Sequence, residues 1–345
     1  MDSNPTADYS LKILIVLTCL VIIVTGCREA ASLLVEILLS IFIASICAPF
    51  LFWLQRHKVP SLVALMLIMF VVFLMAVPLV VFMGNSITEF ARRIPTYQVQ
   101  LRETVAHYLH WFDRFGVDLS ADAIYQYFNP GTAMRLASNI LVILRGIFTS
   151  TFFILLTVSF ILLETAGFPH KLAAAFRDSG DTINRFEQIF SNINRYMVIK
   201  TLTSLATGVI LALMLYVIGV DFYLLWGLMA FLLNFVPTIG SFIAAIPAVL
   251  LTFIQFGMFE VMVVCFGYLV VNTVIGSFIE PRLFGKEIGL SALVVFLSLV
   301  FWGWVLGPIG MLLSVPLTMI VKIALEASED TRWMAVLLGP GPILK

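Results

Sequence analysis

Apolar side chains fill long stretches of this sequence, and polar side chains are confined mostly to the segments between them. About 20 consecutive apolar residues allow a helix to cross the hydrocarbon layer of a bilayer. The pattern therefore predicts an all-α polytopic membrane protein. Eight apolar stretches can be marked, at residues 11–27, 31–54, 62–83, 136–163, 197–218, 222–256, 258–279 and 288–325.

Two of these stretches, 222–256 and 288–325, are too long for one crossing and too short for two. Proline and glycine break the middle of both. Backbone freed by such breaks is tolerated at membrane depth only where protein or a water-filled cavity satisfies it. We therefore predict two re-entrant helical hairpins. The breaks are Asn234, Pro237, Gly240 and Pro247 in the first, and Gly303, Gly307, Pro308, Gly310 and Pro316 in the second.

The polar segments divide the chain further. Residues 84–135 combine balanced charges with a helical amphipathic pattern, and residues 164–196 have the pattern of a helix lying on a membrane surface. The predicted organisation is N-terminal transmembrane helices (1–83), a polar extracytoplasmic cap (84–135), a transmembrane helix (136–163), an amphipathic interfacial linker (164–196), a first helix-plus-hairpin repeat (197–256), a second, inverted repeat (258–325) and a cytoplasmic tail (326–345).

Lysines and arginines near the helix ends set the orientation, since they are enriched on the cytoplasmic side. They predict cytoplasmic N- and C-termini, although Arg92 and Arg93 favour the opposite arrangement. Lys12 and the apolar run ending at Cys27 loosely resemble a lipoprotein cleavage signal. A second apolar stretch follows almost at once, which favours an uncleaved first transmembrane helix.

Counting membrane crossings from a cytoplasmic N-terminus gives the two C-terminal units opposite orientations. A sequence echo at an offset of 70 residues supports the repeat, because Phe231 matches Phe301 and the pair Ile239-Gly240 matches Ile309-Gly310. Broken segments at corresponding positions of two inverted halves point to the substrate site of a transporter. A carrier is therefore the leading interpretation.

Composition excludes several other functions. Of 345 residues, 61% are hydrophobic and 12% are charged, and the 20 basic residues balance the 20 acidic ones, so no nucleic-acid binding is expected. The four cysteines lack zinc-ligand spacing, and the ATP-binding and hydrolase motifs are missing. We predict no enzyme activity, no cofactor and no metal site. A secondary carrier, a channel or a structural membrane protein remains.

The first break supplies hydrogen-bonding side chains at Asn234, Thr238 and Ser241, while Pro237 and Gly240 expose backbone groups and helix ends. Such a tip suits a polyhydroxylated solute. The alternative is that these residues only cap a tight intramembrane turn.

Other polar and aromatic positions have two interpretations each. Asn272 is either part of the solute pathway or a hydrogen-bonding contact between helices. Trp302 and Trp304 flank Gly303 before the second break at Gly307, Pro308 and Gly310. Their indoles could stack on a solute or lie at the membrane interface.

The segment between the two units carries Glu280, Pro281, Arg282, Gly285 and Lys286. It could act as a gate or coupling element in which Glu280 pairs with Arg282 or Lys286 and the pair rearranges as a hairpin moves. The alternative is an ordinary cytoplasmic loop with positive-inside charges.

Three motifs together resemble the signatures of the autoinducer-2 exporter family. They are Asn234-Phe235-Val236-Pro237-Thr238-Ile239-Gly240-Ser241, the run Ile279-Glu280-Pro281-Arg282-Leu283-Phe284-Gly285, and Phe301-Trp302-Gly303-Trp304-Val305-Leu306-Gly307-Pro308-Ile309-Gly310-Met311. The resemblance implies a bacterial inner-membrane exporter of autoinducer-2, a small sugar-derived diol that serves in quorum sensing and biofilm control. It also implies homo-oligomers, with pentamers suggested, and an elevator-like movement of the hairpin unit in the lipid bilayer.

Some relatives of this family are described as sodium or proton antiporters, which gives the main alternative function. Cation exchange usually requires carboxylates deep in the membrane. Neither broken stretch contains one, and the nearest acids, Asp221 and Glu280, lie at stretch ends. The sequence therefore favours a neutral polar solute. A scaffold without transport is a third interpretation.

Overall fold

The computed structural model describes residues 5–113, 151–165, 180–237, 239–284, 289–326 and 329–339, and all regular structure in these ranges is helical. The helices are α1 (Pro5–Glu29), α2 (Ala31–Arg56), α3 (Ser61–Asp113), α4 (Thr151–Thr165), α5 (Gly180–Ile218), α6 (Tyr223–Leu233), α7 (Ile239–Gln255), α8 (Met258–Asn272), a π-helix (Thr273–Ile279), α9 (Glu280–Phe284), α10 (Ala292–Leu312), α11 (Ser314–Glu326) and α12 (Arg332–Leu338).

Five helical segments in the described ranges are long and apolar enough to cross a membrane. Much of their apolar surface is exposed, including Met75, Val217 and Phe266 at 71%, 83% and 66%. Contiguous exposed apolar surface on this scale is typical of a protein that contacts lipid. The chain is therefore an all-helical membrane protein. The five segments are Ala31–Arg56, Ser61–Ala106, Ser191–Ile218, Met258–Phe284 and Ala292–Leu312.

Helix α3 continues far beyond its apolar half. Its 53 residues extend about 80 Å, more than twice the thickness of the hydrocarbon layer. The first part of the predicted polar cap, residues 84–113, is thus a continuation of the third transmembrane helix. The rest of the cap, residues 114–135, lies outside the described residues.

Helix α5 also crosses a predicted boundary. It runs without a break from Gly180 to Ile218, so the end of the predicted linker and the start of the first repeat share one helix. Residues 166–179 of that linker, and residues 136–150 of the predicted fourth transmembrane helix, lie outside the described residues.

Among the described residues, three apolar cores hold most of the helices together. The largest joins the distal half of α3 to α5, α6, α7 and α8, with Trp226 fully buried at its centre. A second core joins α2, the start of α3 and α4. The third joins α10, α11 and α9 to α2 and the middle of α5. The two broken stretches consequently share α5 as a packing partner and differ in the second partner, which is α3 for α7 and α2 for α10.

Candidate functional site

The first broken stretch folds as two short helices joined by a tight turn. Helix α6 has 11 residues and α7 has 17, which corresponds to about 16 and 26 Å, each less than the roughly 30 Å of a bilayer core. Pro237 lies in the turn, where its missing N–H breaks the helical ladder. Thr238, a predicted site residue, lies outside the described residues.

Gly240 allows the two arms of this hairpin to meet. A Cβ at this position would overlap the backbone carbonyl oxygen of Leu233, the last residue of α6, and would lie 3.0 Å from Cβ of Val236. Backbone atoms cannot move aside as a flexible side chain can. The turn after α6 therefore requires glycine at position 240.

The second broken stretch has the same type of close approach. Gly310 lies against the carbonyl of Trp302, and a Cβ on it would be 2.8 Å from Cβ of Leu306. Gly307 interrupts α10 with φ 70° and ψ −157°, a conformation open almost only to glycine, and Pro308 follows it. Gly240 and Val236 therefore correspond to Gly310 and Leu306 at the same 70-residue offset.

Asn234 connects the first turn to helix α5. Its Nδ2 donates a hydrogen bond to Oγ of the fully buried Ser204 at 3.0 Å, and its Oδ1 accepts from Oγ of Ser241 at 3.4 Å. Asn234 caps the C-terminus of α6, and Ser241 lies in the first turn of α7. The polar side chains of Asn234, Ser204 and Ser241 thus meet where the two arms join.

A buried ion pair lies on the same face of α5. Nζ of Lys200 donates to Oε1 of Glu280 at 2.6 Å, and Oγ1 of Thr203 donates to the same oxygen at 2.9 Å. The two charged side chains are only 8% and 14% exposed. Thr203 bonds to Glu280, and its neighbour Ser204 bonds to Asn234. Hydrogen-bonding side chains therefore form a continuous series from Glu280 to Asn234.

Within the described residues, Glu280 does not pair with Arg282, one of its two sequence candidates. Lys200 on α5 pairs with Glu280, while Arg282 is exposed and Gly285 and Lys286 lie outside the described residues. A cation 80 positions away along the chain can be matched to an acid only after the helices are packed. The pair joins the start of the first unit to the end of the helix that opens the second.

A π-helix directly precedes Glu280. Pro281 lacks an N–H, and its ring would clash with the carbonyl four residues earlier in a regular α-helix, which accounts for the wider turn over Thr273–Ile279. Short π-helical segments occur frequently at functional sites. Asn272 stands at the junction of α8 with this segment, half-buried, and makes no side-chain hydrogen bond to the described residues.

The two tryptophans of the second hairpin have different surroundings. Trp302 donates through Nε1 to Oγ1 of Thr318 at 3.0 Å and so links α10 to α11. Trp304 is 55% exposed and lies under the guanidinium of Arg28, 5.0 Å from the ring centroid. A Cβ on Gly303, between them, would contact Met311. Trp302 is therefore the indole inside the hairpin, and Trp304 faces α1.

Comparison with known proteins identifies the family. Residues 12–330 match the model of a family described as "AI-2E family transporter". The chain belongs to the AI-2E transporter family. It is 40% identical to "AI-2 transport protein TqsA" of Escherichia coli K12, over 95% of this chain and 96% of the relative. It is 37% identical to a "Putative transport protein" of Haemophilus influenzae, over 95% and 96%, and 35% identical to E. coli YhhT, over 99% and 98%.

Sequence reasoning missed part of the site of this AI-2E family chain, namely Lys200, Thr203 and Ser204 on α5. Their spacing contained a signal. Together with Thr207 they place polar side chains at intervals of three and four along an otherwise apolar helix, which puts them on one face. Intramembrane polar residues on one helix face mark either a helix contact or a functional site.

Proposed function

We propose that this chain is a secondary transporter that exports autoinducer-2, a small polar diol, across the bacterial inner membrane. Membership of a transporter family and 40% identity to a protein named AI-2 transport protein support the class and the solute. The observation that carries the proposal within this chain is the Asn234 network. It places amide and hydroxyl groups at a helix break in an otherwise apolar region.

We infer that the solute site lies between two re-entrant hairpins of opposite orientation. The short arms of α6 and α7 support a stretch that enters and leaves the membrane on one side. The matching contacts of Gly240 and Gly310 support a repeat. In this arrangement the N- and C-termini are cytoplasmic, because Arg56, Lys58 and Arg282 then lie on the inner side.

Recognition of a diol at the tips uses polar side chains. Asn234 and Ser241 each offer donors and acceptors. Displacing the long 3.4 Å contact between Ser241 and Asn234 frees an acceptor and a donor for the solute. These groups are uncharged, as suits an uncharged solute.

The Lys200–Glu280 pair would serve as the gate. It joins α5 to the helix that leads into the second hairpin, so relative movement of the two units changes its geometry. A buried pair costs free energy when it is separated, so it favours two discrete arrangements over intermediate ones. Alternating access by an elevator-like movement of the hairpins would use the pair as the contact that breaks and reforms.

Cation exchange is the second candidate function, and one observation gives it weight. Glu280, which lies near a stretch end in the sequence, is buried as cation carriers require. Its carboxylate already holds the ammonium of Lys200 and the hydroxyl of Thr203, so a metal ion would have to displace a resident cation. This competition favours the neutral solute.

We infer that the protein works as a homo-oligomer, with the pentamer suggested by its family as the first state to test. The exposed apolar faces can contact further copies as well as lipid. Mass determination in lipid nanodiscs gives the subunit number directly, and a monomer there would contradict this part of the proposal.

The transport proposal is tested in proteoliposomes loaded with autoinducer-2 and an internal pH dye, with and without a proton or sodium gradient. Solute movement that requires the protein supports export and identifies the driving gradient. A cation-dependent pH change without solute movement makes the protein an antiporter. If neither the solute nor cations move, the protein is a scaffold without transport activity.

A further inference from the structure

A polar cavity lies at the opposite end of the first hairpin from Asn234. It has a volume of about 430 Å³ and lies between the distal half of α3 and the base of the hairpin. Helix α6 places about 16 Å between this base and the tip. Its lining includes Arg93, Tyr97, Gln100, Asp221 and Gln255. We call it the Asp221 cavity.

One wall of the Asp221 cavity is the turn that opens the hairpin. Oδ2 of Asp221 accepts from the Tyr97 hydroxyl at 2.8 Å and from Nη1 of Arg93 at 3.4 Å. Its backbone N–H donates to Oε1 of Gln255 at 3.1 Å. Oδ1 of Asp221 and Nε2 of Gln255 make no hydrogen bond to the described residues. Within the described part of the chain, these two linked residues therefore retain an unpaired carboxylate oxygen and an unpaired amide donor.

The other wall is a polar strip on α3. Thr96, Gln100, Glu103 and Thr104 line the cavity and recur at helical spacing, so they share one face of the helix. The side chains of Thr96 and Gln100 make no hydrogen bond to the described residues. They consequently add hydrogen-bonding groups to the cavity while holding no part of the fold in place.

We propose that the Asp221 cavity is a second binding site for an uncharged, polyhydroxylated solute. A hydroxyl group donates to the free oxygen of Asp221, and a neighbouring hydroxyl accepts from the amide of Gln255 or the guanidinium of Arg93. Arg93 offsets only part of the negative charge, because it also pairs with Glu89 at 2.9 Å and Glu103 lines the cavity as well, so the site disfavours anions. This proposal rests on the proposed function for the identity of the solute, autoinducer-2.

The position of the cavity gives it a role in the transport cycle. Its walls belong to α3 and to the hairpin base, so any movement of the hairpin relative to α3 changes its width. In the proposed orientation it faces the outside of the cell. Solute released from the tips binds at this site before it leaves the protein.

The test is equilibrium dialysis of autoinducer-2 against purified protein in nanodiscs. The variant Thr96→Val/Gln100→Leu removes two lining groups and leaves the contacts of Asp221 intact. Gln98→Leu is the matched control, since Gln98 lies on the same helix and does not line the cavity. We expect two equivalents bound per chain by the wild type and the control, and one by the double variant and by Asn234→Ala.

Each other outcome contradicts a definite part of the account. Unchanged binding by Thr96→Val/Gln100→Leu, or an equal loss in Gln98→Leu, overturns the second site even when transport is normal. A wild-type protein that moves no solute, but still loses one bound equivalent in the double variant, overturns the proposed function and leaves the second site standing.

Discussion

Gly240 and Gly310, 70 positions apart, make similar close approaches in the two broken stretches, to the carbonyl seven positions earlier in the first and eight positions earlier in the second. Each lies against a backbone carbonyl near the end of the preceding arm, of Leu233 in the first hairpin and of Trp302 in the second. The residue four positions before each glycine, Val236 or Leu306, packs on it from the same side. A shared close approach at equivalent positions is the strongest structural support for the proposed repeat.

Alanine at either glycine should disrupt its hairpin. A Cβ there meets backbone atoms that cannot rotate away, and overpacking of this kind costs about 1–3 kcal/mol. We expect Gly240→Ala and Gly310→Ala each to lower thermal stability in detergent and to reduce transport. Gly84→Ala is the control, because a Cβ at Gly84 would have no neighbour within 4 Å. Wild-type melting temperatures for Gly240→Ala and Gly310→Ala would refute the packing argument.

Substitutions of Gly307 should impair the protein for a different reason, namely the backbone conformation at this position. A Cβ there has no neighbour within 4 Å, yet φ 70° with ψ −157° disfavours every other residue by about 1–3 kcal/mol. Alanine and leucine should therefore impair transport to a similar extent at matched membrane levels. If Gly307→Ala transports normally and Gly307→Leu does not, side-chain size and not backbone strain is what matters.

The contributions of the Lys200–Glu280 pair to stability and to gating can be measured separately. Lys200→Met leaves a buried carboxylate without its counter-charge, which should destabilise the protein by about 3–5 kcal/mol. Lys200→Met/Glu280→Met removes both charges and should recover most of that stability. We expect transport to stay defective in the double variant, because the gate is gone. Restored transport together with restored stability would assign the pair a purely structural role.

Trp302 provides a test of the second hairpin. Trp302→Phe removes the N–H that donates to Thr318 and keeps an aromatic ring, at a cost of about 1 kcal/mol. We expect slower export with unchanged insertion, and a similar defect in Thr318→Val because both variants lose the same bond. Additive defects in the double variant would show that the two residues act separately.

The sequence predicted the class of fold well because hydrophobic runs and helix breakers are local signals. A helical membrane protein and the two stretches broken by proline and glycine both follow from composition and backbone chemistry, as the described residues show. The family also followed from the motifs at these breaks, and comparison confirmed it.

Contacts between distant helices could not be predicted in the same way. The pairing of Glu280 with Lys200 and of Asn234 with Ser204 depends on how α5 packs against its neighbours, and no local pattern encodes that. The length of α3 was missed for another reason. The change from apolar to polar residues near position 84 marks where the helix leaves lipid, and the helix itself continues.

The central claim, that Asn234 at the hairpin tip handles the solute, is tested most directly by export of autoinducer-2 from proteoliposomes containing Asn234→Ala. Thr207→Val is the control, since Thr207 is buried on α5 and its hydroxyl donates only within its own helix, to the carbonyl of Thr203. We expect export at least about tenfold slower by Asn234→Ala, and at the wild-type rate by Thr207→Val, at equal protein density. Export by Asn234→Ala at the wild-type rate would contradict it.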